Sequence, residues 1–156
     1  MEQLVIHGGA GSLEGKTTEA QKMHDSLCKI WEETFEVLQK RSAEDAVRYA
    51  VRMLEDDPVY NAGTGSKLQA DGQIRMSAAL MDGTNNRFSG VINVQNIRNP
   101  IEAAALLSGE KHSILSSAQA TEFCRTKGIP EYNPETEFRL HEYKSNCAGI
   151  HGTVGA

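Results

Sequence analysis

Thr153 follows Gly152 in the run His151-Gly152-Thr153-Val154-Gly155-Ala156, a pairing with a specific chemical meaning. If the Gly152–Thr153 bond is cut, the threonine carries a hydroxyl nucleophile and a free α-amine on one residue. That amine can then act as the base, with no separate histidine. A second segment with chemical potential lies near the start. Ala10-Gly11-Ser12-Leu13-Glu14-Gly15-Lys16-Thr17 fits a relaxed phosphate-loop pattern, with alanine where the stricter form has glycine. Backbone amides and a helix N-terminus would meet a phosphate there, and Asp82, closing Ala79-Leu80-Met81-Asp82, would hold magnesium. That strand reads as part of an antiparallel hairpin, however, whereas a nucleotide fold needs a parallel sheet built by crossovers. Leu13 to Lys16 is more simply an exposed turn. No pair of histidines has metal-ligand spacing, the carboxylates are scattered, and no residue stands in a nucleophile elbow. His7 reads as a hydrogen-bonded histidine at a strand end rather than a general base, and His151 as linker.

These residues sit in a chain of 156 residues, enough for one domain or for half of a larger one. A hydrophobic share of 39% with 24% charged residues is ordinary for a soluble globular protein. The net charge of -5 and the absence of a dense Lys/Arg cluster give no general attraction for nucleic acid. No run approaches the roughly 20 apolar residues of a membrane span, and Met1-Glu2-Gln3-Leu4 does not open a signal-peptide pattern. Cys28, Cys124 and Cys147 are odd in number and widely spaced, which argues against a disulfide framework and for a reducing cytoplasm. Cys28 and Cys124 are expected to be buried as small hydrophobes.

The elements that must position this chemistry read as mixed α/β. Leu4-Val5-Ile6 is a short apolar strand entering the glycine-rich turn His7-Gly8-Gly9-Ala10-Gly11. From Thr17 to Lys40, Met23, Leu27, Ile30, Trp31, Phe35 and Leu38 recur at helical steps and mark one buried face. Ser42 reads as an N-cap with Asp45 three residues on. The helix it starts would bury Ala46, Val47, Ala50, Val51 and Leu54 and stop before Pro58. Lys67–Ala70 and Gln73–Leu80 flank Asp71-Gly72, a hairpin turn of the favoured kind, and Asp82–Asn86 turns into Phe88–Val94. Three adjacent antiparallel strands are expected. Ile101–Leu107 should be helical, Ser113–Leu115 a strand, and Ser117–Lys127 a helix closed by Gly128. From Pro130 to about Asn146 the chain is polar and weakly periodic, like a surface linker.

Several motifs, taken in order, resemble one family. Ile6-His7-Gly8-Gly9-Ala10-Gly11, Leu54 to Gly63 with Asp56-Asp57-Pro58-Val59-Tyr60-Asn61, Leu80-Met81-Asp82-Gly83, Asn99-Pro100 and Gly152-Thr153-Val154-Gly155-Ala156 closely resemble the plant-type L-asparaginases, or isoaspartyl peptidases. These are N-terminal nucleophile hydrolases. The resemblance is strong over 1–107 and at the terminus and weaker over about 108–148.

The resemblance implies an α+β fold: an αββα four-layer sandwich in which this chain is the N-terminal, or α, half. Residues 1–152 would form the α-subunit part, with about 130–150 as a surface linker before the cleavage site, and 153–156 would start the β-subunit. Thr153 would be the nucleophile that first cuts its own chain after Gly152 and then attacks the side-chain amide of L-asparagine or of a β-aspartyl peptide. Gly8, Gly9 and Gly11 resemble the loop packed against the processing site; a tight turn after a strand is their simpler role. Leu54, Glu55, Asp57, Tyr60, Ala62 and Thr64 match a loop whose main-chain carbonyls bind sodium, fixing Asn61 near the nucleophile. Asn61 also suits a plain turn. Ser77 departs from the acidic residue many relatives carry there. No organic cofactor is expected. In the family the oxyanion donors and the residues gripping the substrate lie in the β part, so the chain alone should be inactive. Its partner would be that β-subunit, in an (αβ)2 assembly. The alternatives are a glycosylasparaginase of the same superfamily, a nucleotide-binding module using Lys16 and Thr17, and a non-catalytic fragment that associates with a partner.

Overall fold

The computed structural model describes residues 2–10 and 17–148. Apolar side chains at three- and four-residue steps give α1 (Thr17–Lys40) a stripe to bury. Ile30 and Thr34 are the fully buried positions on it, while Met23, Leu27, Phe35 and Leu38 are half-buried. Trp31 is more exposed than expected; it stacks on Phe35 with ring centroids 5.2 Å apart. Two residues later α2 (Ala43–Asp56) begins at the expected cap. The Ser42 hydroxyl accepts from the Asp45 N–H at 3.1 Å and donates to its carboxylate at 2.8 Å. Such a cap contributes about 1 kcal/mol. α2 packs on α1 and buries Ala46 and Ala50, but Val47 faces outward. The helix ends before Pro58, as expected.

β1 (Met76–Asp82) and β2 (Arg87–Val94) pair antiparallel, with Met81 opposite Phe88, Ala79 opposite Gly90 and a bulge between Met76 and Ala78. β3 (Ile114–Ser116) joins β2 in parallel, Ile114 opposite Gly90, so the order is β1-β2-β3. α3 (Pro100–Leu107) packs on β1 and β2, and α4 (Ser117–Thr126) on β2 and β3. Between them lies the main core of Ile74, Met76, Val91, Val94, Ile97, Ala103, Leu107, Ala120 and Cys124. Full burial of a side chain such as Leu107 contributes about 1.5–3 kcal/mol. On the opposite sheet face Met81, Phe88, Ile92 and Ile114 remain about half exposed, and no described element covers them.

The structure corrects four further expectations. Leu4-Val5-Ile6 is not a strand: no described strand lies beside it to complete a ladder. Instead the Leu4 carbonyl accepts from the Trp31 indole at 3.3 Å, and Ile6 packs into a second cluster around Ile30, Ala50 and Tyr60. The expected third antiparallel strand at 67–70 is also absent, and the third strand is the parallel β3. The Asp71-Gly72 turn does form, with the Gln69 N–H donating to the Gln73 carbonyl at 2.9 Å and Gly72 at φ +76°. Beyond the turn the Lys67 N–H is given to Asn61 Oδ1, and the Ala70 carbonyl accepts from the Tyr143 hydroxyl of a later helix. That helix is α5 (Glu137–Ala148), where an irregular linker was expected. It is anchored by the buried Pro134 and Arg139 and started by Thr136, whose carbonyl takes the Leu140 N–H at 2.9 Å. Finally, Cys124 is buried as expected but Cys28 is exposed, because α1 buries the face through Ile30 and Thr34 and leaves Cys28 outside it.

Candidate active-site loop and cleavage segment

The loop after α2 is built by two close backbone approaches. The last carbonyls of a helix have no intrahelical partner and carry partial negative charge. Here the chain returns to them: the Thr64 N–H donates to the Glu55 carbonyl at 2.7 Å, closing residues 55–64 into a ring. Gly63, at φ +49°, allows this, since a Cβ there would lie 2.2 Å from the Glu55 carbonyl oxygen. Within the ring the Tyr60 N–H donates to the Asp57 carbonyl at 3.2 Å. The Asp57 carboxylate accepts from the Ser26 hydroxyl at 2.6 Å and from the Val59 N–H at 3.0 Å. The Tyr60 ring is buried and its hydroxyl donates to the Met23 carbonyl at 3.1 Å, with burial holding that hydroxyl's pKa above the ordinary value.

The donor set suits sodium. A hard monovalent cation takes oxygen ligands, and the carbonyls of Leu54, Glu55, Asp57, Tyr60, Ala62 and Thr64 belong to this curl. The Glu55 and Asp57 carbonyls each accept one N–H and keep a second lone pair. Among the described residues, no group of three or more His, Cys, Asp or Glu is placed to hold a metal ion. The curl offers main-chain oxygens instead.

Glu55 also has a structural use that its sequence did not advertise. Its side chain is buried, and Oε1 accepts from the Ile101 N–H at 3.0 Å, at the start of α3. The Asn99 side chain does not cap that helix. Asn99 and Arg98 instead donate to the Asp56 carboxylate at 3.0 and 2.7 Å, so the end of α2 is bolted to the start of α3. Burial pushes the Glu55 carboxyl up to about 8, against the opposing pull of the Ile101 N–H, and among the described residues Oε2 has no hydrogen-bond partner.

Several predicted site residues come together. Gly8 lies against this loop: a Cβ on it would be 3.1 Å from Tyr60 Cε1. Gly9, at φ +121°, has its N–H on His7 Nδ1 at 3.3 Å, so His7 is hydrogen-bonded as expected, but it ends no strand. Asn61 is exposed on the loop, and its Oδ1 accepts from the Lys67 N–H at 2.8 Å. Gly11, Gly152 and Thr153 lie outside the described residues, as does the phosphate-loop segment 11–16. The proposed magnesium ligand of that segment fails on geometry. Asp82 ends a strand of an antiparallel hairpin, and its carboxylate accepts from Thr84 N at 2.9 Å, Asn85 N at 3.2 Å and Asn85 Nδ2 at 2.6 Å. It is a turn-sealing group, held below the ordinary carboxylate pKa first by the Asn85 side chain.

Sequence reasoning missed the residues that hold this loop from behind. The Gly65 N–H donates to the Pro134 carbonyl at 3.0 Å, the Thr64 hydroxyl meets the Tyr132 hydroxyl at 3.0 Å, and Arg139 Nε donates to the Gly65 carbonyl at 2.6 Å. All three partners sit in the stretch read as linker, and no spacing signal marked them.

A family model described as Asparaginase matches residues 1–150. This chain belongs to the asparaginase family. The match by this asparaginase-family chain runs through the glycine turn, the carbonyl loop and α5. It is 46% identical over 144 residues to the isoaspartyl peptidase/L-asparaginase of a Synechocystis strain, covering 90% of this chain and 43% of that one. To the plant-type L-asparaginase of Pyrococcus horikoshii it is 37% identical over 145 residues, covering 92% and 47%. To the isoaspartyl peptidase/L-asparaginase of Macaca fascicularis it is 35% identical over 168 residues, covering 98% and 54%. The chain spans about half the length of these curated relatives. Among the described residues no helix is long and apolar enough to cross a membrane.

Proposed function

We propose that this chain is the α half of a self-cleaving amidohydrolase that acts on L-asparagine, on β-aspartyl peptides or on both. The observation that carries the reading is the 46% identity over 144 residues to a relative named isoaspartyl peptidase/L-asparaginase. Thr153 is the nucleophile. Its hydroxyl attacks the Gly152 carbonyl and shifts the acyl group from nitrogen to oxygen, which breaks the Gly152–Thr153 amide and frees the α-amine; hydrolysis of that ester then releases the Gly152 carboxylate and restores the hydroxyl. In turnover the hydroxyl, with the amine as base, attacks the substrate's side-chain amide, ammonia or an amine leaves, and water releases aspartate. The oxyanion donors this requires, and the groups that grip the substrate, belong to the other half of the precursor.

Two features of the fold support that division. The uncovered sheet face of Met81, Phe88, Ile92 and Ile114 suits one layer of an αββα sandwich, with a second sheet from the β half laid over it. Loop 54–64 suits a sodium ion held by the carbonyls of Leu54, Glu55, Asp57, Tyr60, Ala62 and Thr64, whose contribution is stiffness rather than bond making. Asn61 on that loop, Gly8 against it and the neighbouring Gly9 belong near the processing site. The assembly is (αβ)2, and a cytoplasmic setting agrees with Cys28 and Cys124, which form no disulfide among the described residues.

The test is hydrolysis of L-asparagine and of a β-aspartyl dipeptide by the complete precursor and by its Thr153→Ala and Thr153→Ser forms. Wild type should release aspartate, Ser a reduced amount and Ala none. Hydrolysis by Thr153→Ala at the wild-type rate would remove the threonine mechanism. A wild-type precursor that processes but hydrolyses neither substrate would remove the substrate assignment.

A further inference from the structure

Asn61 can serve a reaction only if its amide is held in one orientation. The Lys67 N–H donates to its oxygen at 2.8 Å, and a backbone donor can only meet the carbonyl end of that amide. The NH2 end is therefore turned outward, on a residue that is exposed. What holds Lys67 thus holds Asn61.

The structure places α5 in that role. Arg139 is one of only two buried Asp, Glu, Lys or Arg side chains among the described residues, the other being Glu55. Its Nε donates to the Gly65 carbonyl at 2.6 Å and its Nη1 to Glu142 Oε2 at 2.9 Å. The other oxygen of Glu142 takes Lys67 Nζ at 3.0 Å, and both cations lower the Glu142 pKa. The Tyr143 hydroxyl donates to the Ala70 carbonyl at 3.2 Å on the same helix face. A buried guanidinium is expensive to keep unless its partners are good. Here those partners are the loop residue two before Lys67 and the carboxylate that grips Lys67 itself. Phe138, just before it, is 69% exposed, so Arg139 itself is held by directional polar bonds.

α5 is also the element that leads into the cleavage segment. It ends at Ala148, and Thr153 follows five residues later. Fully extended, that stretch spans at most about 18 Å. One helix therefore bears on the Asn61 loop with one face and directly precedes the cleavage segment in the chain.

We infer that Arg139, acting through Glu142 and Lys67, is a positioning residue for self-cleavage at Gly152–Thr153, with α5 as the brace between the Asn61 loop and the cleavage segment. This rests on the proposed self-cleavage and on a role for Asn61 in it. A small misplacement of a reacting group far exceeds its structural cost in rate, so loss of the brace should slow cleavage out of proportion to any loss of fold.

The experiment follows cleavage of the complete precursor by intact mass, with thermal unfolding of each variant measured alongside. Arg139→Ala and Glu142→Gln should each slow cleavage about tenfold or more. Glu142→Gln keeps the Arg139–Gly65 bond and a neutral side chain of the same shape, so it remains informative if Arg139→Ala fails to fold. Both are repeated with Asn61→Ala. If Arg139 acts through Asn61, Asn61→Ala alone and Asn61→Ala with Glu142→Gln should cleave at the same rate, within about twofold, because the second change has nothing left to misplace. Wild-type cleavage rates in Glu142→Gln, or losses that multiply in the double variant, would overturn the positioning role while leaving self-cleavage intact. A wild-type precursor that never cleaves would overturn self-cleavage itself, and this inference with it.

Discussion

Replacing Glu55 by glutamine should remove a pH dependence of stability that this one buried carboxyl creates. The group is 3% exposed and its pKa is pushed from 4.5 to about 8 by burial. Below pH 4.5 the carboxyl is neutral in both the folded and the unfolded chain, and burial costs nothing through ionisation. Between 4.5 and about 8 the unfolded chain is ionised while the folded one keeps its proton. The folded state then binds more protons, so stability falls as pH rises, by about 1.4 kcal/mol per pH unit. Above 8 both states are ionised and the loss is complete, on the order of 3–5 kcal/mol. That is a large part of the roughly 5–15 kcal/mol of a typical domain. Glutamine cannot ionise, and its oxygen can still accept from the Ile101 N–H, now at 3.0 Å. Urea unfolding of the two forms at pH 5, 7 and 8.5 isolates the effect, since every other titrating group is shared. Glu55→Gln should be close to wild type at pH 5 and more stable by a few kcal/mol at pH 8.5. Glu55→Ala, which leaves the start of α3 uncapped, should be weaker than Glu55→Gln by about 1–3 kcal/mol at all three values. Stability curves for wild type and Glu55→Gln that run parallel across this range would refute the reasoning.

Gly63→Ala should lower the melting temperature by several degrees or more: φ of +49° costs a non-glycine residue about 1–2 kcal/mol, and its Cβ would sit 2.2 Å from the Glu55 carbonyl oxygen, where backbone cannot give way. A melting curve that does not shift would mean the loop closes differently. Phe88→Arg, on the uncovered sheet face, should leave the helical content of this chain unchanged by circular dichroism while abolishing co-purification with the other half of the precursor. Replacing sodium by tetramethylammonium should lower the melting temperature of the complete protein and leave that of Gly63→Ala less affected, because the carbonyl curl is already distorted there.

How far the sequence was legible depended on whether the signal was local. The Ser42 cap, the Asp71-Gly72 turn and the stop before Pro58 appear where they were expected because neighbouring residues decide each of them. The α1 stripe was nearly right, but Trp31 lies at its exposed margin and Thr34, a polar residue no apolar pattern would select, is buried. Leu4-Val5-Ile6 carried a strand signal without a described partner, and a strand exists only with a neighbour to share its hydrogen bonds. α5 was illegible for the opposite reason. The face it buries carries Arg139, Glu142 and Tyr143, so it lacks the apolar stripe by which a helix is recognised. The same holds for the site. Gly8, Asn61 and the 54–64 loop could be singled out from motif order, whereas Lys67 meets Glu142, and Gly65 meets Arg139, only across contacts between residues far apart in the chain.

The central claim is tested most directly by intact-mass spectrometry of the purified complete precursor, wild type beside Thr153→Ala, followed over time. The account predicts paired masses for wild type, one ending at Gly152 and the other beginning at Thr153, and a single unbroken mass for the variant. A wild-type chain that stays whole on long incubation, or a Thr153→Ala chain that is cut at the same bond, would contradict it.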